Sequence, residues 1–387
     1  MNKTYKSAPS AGAHFLLKAG VAAIVLSILS APLMAQGRRG AIQPAAHADQ
    51  EPINSRPNPY ETQRNFGTLP DGRSWGSVSA VNIDIDGINV WAGDRCGTNS
   101  CATSDVNPIV KLDPDGNVLT SFGAGLIIWP HGMDVDSEGN VWVVDARAAN
   151  ARELEENPWA AGKGHTVMKF SPEGELLMTL GTGGETGDPP THFDAPNDVL
   201  IAPSGTIYVG DTHGAQFQDA AGPTSKSRIS MFAPDGTFIK SFGEFGYEDG
   251  QFRSPHSLAM DSQGRLFVAD RGNARIQIFS QDGKHLDTWY QFSRISGLFM
   301  TDDDMLYAID SETSGGNHPG WATGIRIGSA HADVVTAFIP GHAYQERPWN
   351  TAGEGVAVDA DGNVYGAEGP GSRPAVDGGL TKYVRQQ

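Results

Sequence analysis

One phrase recurs six times along this chain: an alternating apolar run, a turn, a second alternating run and a terminal acid. The copies are "SAVNIDIDGINVWAGD", "PHGMDVDSEGNVWVVD", "PNDVLIAPSGTIYVGD", "PHSLAMDSQGRLFVAD", "ISGLFMTDDDMLYAID" and "GEGVAVDADGNVYGAE". Period-two alternation on both sides of a turn marks a β-hairpin. Most copies are followed by a second hairpin, as in "VKLDPDGNVLTSFG", "MKFSPEGELLMTLG", "SMFAPDGTFIKSFG" and "QIFSQDGKHLDTWY". Units of four short strands cannot each bury a core alone but can pack radially. The pattern therefore predicts an all-β fold, a six-bladed β-propeller with four-stranded antiparallel blades. The sixth unit holds one hairpin and the further strand "LTKYVRQ". "TQRNFGTLP", near Thr62, resembles the "LTSFG" endings and is expected to close the ring as an N-terminal strand.

Ahead of the repeats, Lys3, Lys6 and Lys18 precede or open the apolar run "AGVAAIVLSILSAPLMA". Such a pattern reads as a secretory signal peptide over 1–35, with a membrane anchor as the outcome if it is not cleaved. Residues 36–59 read as a flexible lead-in, and 60–387 as the propeller. The expected location is periplasmic or extracellular. An oxidising compartment allows Cys96 and Cys101, in "RCGTNSC", to form a local disulfide; two free thiols are the other reading. The formal charge of −17 argues against a nucleic-acid partner, because binding a polyanion needs a basic surface.

Aligning the copies on their second-strand aromatics (Trp91, Trp142, Tyr208, Phe267, Tyr307, Tyr365) fixes a slot eleven residues earlier. It holds Ala80, His131, Asn197, His256, Ser296 and Glu354. This slot opens the innermost strand of each blade, where six chains converge on the central channel. The three strongest ligand types, His131, His256 and Glu354, occupy alternate blades, a workable site for zinc or iron. Asn197 reads either as a further ligand or substrate contact or as a turn residue. The acids ending each second strand (Asp94, Asp145, Asp211, Asp270, Asp310, Glu368) recur in every blade and read as structural. Arg95, Arg147, His213 and Arg271 follow those acids by one or two positions, differ between blades, and suit an anionic substrate. Slot spacings of 51, 66, 59, 40 and 58 residues put long insertions mostly after the second strand, rimming the channel mouth.

These repeats resemble NHL repeats. "WPHGMDVDSEGNVWVVDA", "APNDVLIAPSGTIYVGD", "SRISMFAPDGTFIKSFG" and "GQFRSPHSLAMDSQGRLFVADRGNARIQIF" further resemble the lyase domain of the peptidyl-α-hydroxyglycine α-amidating lyase family. The likeness runs over most of Ser77–Val384 and is strongest from Trp129 to Phe279. It implies a six-bladed propeller that cleaves peptidyl-α-hydroxyglycine to a peptide amide and glyoxylate, using zinc held by three histidines. Two of those histidines fall on His131 and His256, and the third falls on Glu354. The family's catalytic arginine falls on Arg95, its catalytic tyrosine loosely on His213, and the arginine of its "ADR" motif on Arg271. An Asp that helps to hold the family's calcium is here Gly355, which argues against calcium.

The slot residues and the resemblance together lead to the expectation of a divalent metal, zinc first and iron second, on His131, His256 and Glu354. The resemblance implies catalytic roles for Arg95, His213 and Arg271, and a small or peptide-derived substrate bearing a carboxylate. Two other readings stay open. "GEGVAVDADGNVYGAE" and "PNDVLIAPSGTIYVGD" also resemble metal-binding segments of gluconolactonase-like propellers, with Glu354 and Asn197 as ligands of a hydrolase. The chain could also be a non-catalytic NHL propeller that binds a protein or glycan, since fold alone does not assign chemistry.

Overall fold

The structure, a computed structural model, describes residues 50–214, 226–313, 317–341, 353–368 and 379–386. The signal-peptide reading over 1–35 and the first part of the lead-in lie outside them. Six four-stranded antiparallel sheets are present. The first is β2 (Val78–Ile83), β3 (Val90–Asp94), β4 (Ile109–Leu112) and β5 (Val118–Phe122). β6–β9 (Pro130–Leu180), β10–β13 (Pro196–Phe242), β14–β17 (Pro255–Trp289) and β18–β21 (Gly297–Pro340) repeat that order. The sixth sheet joins β22 (Gly355–Val358), β23 (Val364–Glu368) and β24 (Gly379–Arg385) to β1 (Tyr60–Phe66), so the N-terminal strand closes the ring. Lead-in residues also touch the propeller. Arg56 Nε donates to the Val335 carbonyl at 3.0 Å, and Phe338 N to that of Pro57 at 3.2 Å.

The repeat forms these blades for local reasons. In five blades the residue three before the aromatic has positive φ: Gly139, Gly205, Gly264 and Gly362, and in blade five Asp304 at φ 62°. Aspartate tolerates that left-handed conformation better than most residues. The aromatics themselves are buried between blades, from Trp91 at 0% to Tyr307 at 5% exposure. Innermost strands of neighbouring blades pack side by side around the channel.

The sixfold acid is structural, as its repetition suggests. Asp145 accepts from the amides of Ile128 and Trp129, and Asp211 from those of Asp194 and Ala195. Asp270 is fully buried and accepts from Arg253 N (2.7 Å), Asn273 Nδ2 (2.7 Å), Arg275 Nε (2.8 Å) and Gln277 Nε2 (3.2 Å). Replacing Asp270 by Ala would remove the buried carboxylate that a guanidinium and three other donors share. The expected loss is about 3–5 kcal/mol in urea unfolding.

Candidate metal centre

Three of the inner strands that carry slot residues bulge at that residue. Pairing jumps from Pro130 to Met133 opposite Asp145 and Val143, from Pro196 to Asp198, and from Pro255 to Ser257. An extra residue in one strand re-aims its side chain, and here the re-aimed residues are His131, Asn197 and His256. Blade one corrects the alignment. Its bulge falls between Val78 and Ala80, so Ser79, not Ala80, holds the slot. The reason is a hairpin turn one residue longer than its counterpart in blade two, between Ile83↔Val90 rather than Val135↔Val141.

His131 and His256 are buried and oriented alike. Nδ1 of His131 lies 2.7 Å from the Asn197 carbonyl, and Nδ1 of His256 lies 2.7 Å from that of Ser296. A carbonyl only accepts, so each ring carries its proton on Nδ1 and keeps the Nε2 lone pair. His131 Nε2 is buried with no hydrogen-bond partner among the described residues. His213 joins them from the turn after β11 (Ile207–Asp211). The three imidazoles offer ligand atoms that all lie within 4.8 Å of one another. Burial, then the charge of Arg95, pushes His131 down to about 3. Burial, then His131 and Arg271, brings His213 to about 3, and burial with Arg271 holds His256 well below its usual range. All three are therefore neutral near pH 7, the protonation state a metal ligand needs; the His256 Nε2 lone pair accepts from Arg271 Nη1. Three neutral nitrogen donors, one of them a buried orphan, fit a divalent zinc-like ion.

Glu354 stands beside this cluster. Its Oε2 is 3.8 Å from His131 Nε2, and its Oε1 is 3.9 Å from Arg271 Nη1. The sequence alignment paired His131 and His256 with Glu354 and set His213 apart as an acid or base; the geometry groups His213 with the two histidines instead. Arg271 is fully buried, with Nη1 2.5 Å from His256 Nε2 and Nη2 in contact with Glu312. Asn197 donates from Nδ2 to the Pro255 carbonyl at 3.0 Å, while its Oδ1 is buried without a partner among the described residues.

Arg95 is locked in place. Its guanidinium donates to the Pro130 carbonyl (3.1 Å), Asn99 Oδ1 (2.8 Å) and Ser79 Oγ (2.8 Å), and stacks 3.6 Å from the Trp129 ring centroid. Trp129 in turn stacks on His131 and donates from Nε1 to the Asn99 carbonyl. Cys96 and Cys101 are disulfide-bonded, and the bridge closes the loop that carries Asn99. The bridge thus supports Arg95 and Trp129 through one residue. Arg147, by contrast, is engaged at the rim in a two-armed pair with Glu153 of α1 (Ala151–Glu156) at 2.7 Å. A cavity of about 140 Å³ is lined by Ser79, His131, Asn197, His256, Ser296 and Glu354 among others.

Sequence reasoning missed Glu312, Arg294 and Trp129. Glu312 follows the terminal acid Asp310 by two, the offset that singled out Arg147 and His213 in their blades. Trp129 and Arg294 both precede their slot residue by two, an offset that was not compared across blades.

A model of the NHL repeat matches residues 252–279. Peptidyl-glycine alpha-amidating monooxygenase B of Xenopus laevis is 32% identical over 269 residues, which are 66% of this chain and 27% of the relative. Peptidyl-alpha-hydroxyglycine alpha-amidating lyase 1 of Drosophila melanogaster is 25% identical over 284 residues, covering 67% and 46%. NHL repeat-containing protein 3 of Homo sapiens is 32% identical over 212 residues, covering 50% and 55%. The chain spans about a quarter of the length of the Xenopus monooxygenases it matches. Among solved structures, a chain assigned as a gluconolactonase superposes with TM-score 0.52 at 14% identity, covering 85% of this chain and 93% of that one; this likeness concerns the fold alone.

Proposed function

We propose that this chain, an NHL-repeat propeller resembling the peptidyl-α-hydroxyglycine α-amidating lyases, is an exported metal-dependent lyase that cleaves the C–N bond of a carbinolamide-type substrate and releases glyoxylate. The observation that carries the reading is the cluster of three neutral imidazoles, two buried and one half-buried, beside a carboxylate and a locked guanidinium. Scaffolding alone gives no reason to desolvate such a set. The names of the relatives support lyase chemistry in general; metal, export and glyoxylate are our extension.

His131, His213 and His256 would hold the metal, zinc first and iron second. When bound, the ion would lower the pKa of a substrate hydroxyl at its open position. Glu354, at the edge of the cluster, takes the hydroxyl proton. The C–N bond then breaks with its electron pair going to nitrogen, the former hydroxyl carbon becomes the aldehyde of glyoxylate, and Glu354 returns the proton to the amide nitrogen. Arg95, held by three hydrogen bonds and Trp129, stabilises the developing negative charge without reorganising. Arg271 faces the substrate's carboxylate end. The lactone-hydrolase alternative would draw instead on Glu354 and Asn197, whose Oδ1 is without a partner among the described residues.

The test is turnover of N-benzoyl-α-hydroxyglycine, followed as glyoxylate release beside δ-gluconolactone hydrolysis. Glyoxylate release that is abolished by a chelator and restored by zinc or iron is expected. Lactone hydrolysis without glyoxylate release would replace the lyase reading with the hydrolase.

A further inference from the structure

Arg271 and Arg294 are both desolvated at the channel mouth, with side chains 0% and 5% exposed. Two buried guanidiniums this close repel each other and need an anion between them. Burial, then the charge of Arg271, brings Arg294 down to about 10. The Glu312 carboxylate serves both: it contacts Arg271 Nη2 and lies 3.4 Å from Arg294 Nη1. Burial pushes this carboxyl up, yet Arg271 and Arg294 outweigh it and hold it at about 2, so it is ionised at any working pH.

Three features distinguish Glu312 from the fixed acids of the blades. It sits on the loop after β19 (Met305–Asp310), its side chain is 31% exposed, and it contacts two arginines of other elements. Asp310, two residues earlier, is fully buried and accepts from Ser293 and Thr313 within its own blade. Arg271 also keeps a buried Nε with no hydrogen-bond partner among the described residues, so its donor fork is only partly used. A planar fork with an unused donor is suited to a second, better-placed carboxylate.

We propose that Arg271 and Arg294 form a carboxylate-binding subsite at the channel mouth, and that Glu312 is its built-in occupant, displaced into solvent when a ligand's carboxylate arrives. The subsite would select ligands with a free terminal carboxylate over neutral ones, since a neutral group cannot replace the charge that Glu312 withdraws. As an account of the substrate's anionic end this rests on the lyase reading. The subsite itself is open to test by binding alone.

Glu312 competes as an intramolecular ligand, whose effective concentration is on the order of millimolar or above. Removing its charge should therefore tighten carboxylate binding. Isothermal titration of N-acetylglycine and of N-acetylglycinamide into the wild-type protein, Glu312→Gln and Arg294→Gln decides the matter, with circular dichroism verifying that each variant is folded. The expected result is N-acetylglycine binding at least tenfold tighter in Glu312→Gln and at least tenfold weaker in Arg294→Gln, with the amide unchanged in both. Equal or weaker carboxylate binding by folded Glu312→Gln would overturn the proposal, as would an equal gain for the amide. Tighter carboxylate binding without glyoxylate release would leave the subsite standing and remove the lyase reading. Glyoxylate release without tighter binding would do the reverse.

Discussion

Glu354→Gln is expected to lower glyoxylate release by about 10²- to 10⁴-fold, the usual worth of a positioned general acid or base. The same variant should retain its metal. The exchange is nearly isosteric and keeps an acceptor near His131, but it removes the group that moves the proton. Its position argues for that role. The carboxylate is within 4 Å of both His131 Nε2 and Arg271 Nη1, yet it lies outside the set of mutually close imidazole ligands. Elemental analysis beside the kinetic assay separates the two roles: joint loss of metal and activity would make Glu354 a ligand, as the alignment alone suggested.

His213→Ala carries the second large expectation. Removing one of three nitrogen donors should weaken metal binding on the order of 100-fold or more, beyond the 10- to 100-fold typical of lost outer partners. Competition against a chromophoric chelator measures this directly. The pH profile of wild-type affinity adds a signature. Protons compete with metal only near the folded-state pKa of a ligand, and His131 and His213 lie at about 3 rather than 6.5. Affinity should therefore stay flat from pH 8 to about 5, whereas exposed histidines would begin to lose metal below 6.5. Unchanged affinity in His213→Ala would return the third ligand position to Glu354.

The blades were legible because alternation and turn chemistry are local. Six copies of one pattern leave few architectures, and the ring-closing strand could be found by its likeness to the other fourth strands. His131 and His256 were legible for the same reason, as they share a slot within a repeat. The partnership of His213 was not. It arises from a turn between strands, outside the aligned slot, and only the radial convergence of blades two, three and four brings the rings to centroid distances of 4.8–5.3 Å. Ser79 was misread as Ala80 because alignment by fixed offset ignores the longer turn of blade one. Glu312 and Arg294 sit at offsets shared with Arg147, His213 and Trp129 and could have been flagged by position, but their pairing with Arg271 across blades is not encoded by spacing.

The most direct test of the account is the metal content of the protein purified without a histidine tag, by elemental mass spectrometry, joined to X-ray absorption at the metal edge. The account predicts about one zinc or iron per chain, with nitrogen scatterers at about 2.0–2.1 Å and an imidazole signature that loses one ring in His213→Ala. A folded protein that holds no stoichiometric metal, even after incubation with zinc and with iron, would contradict it and leave an NHL propeller whose channel serves binding rather than catalysis.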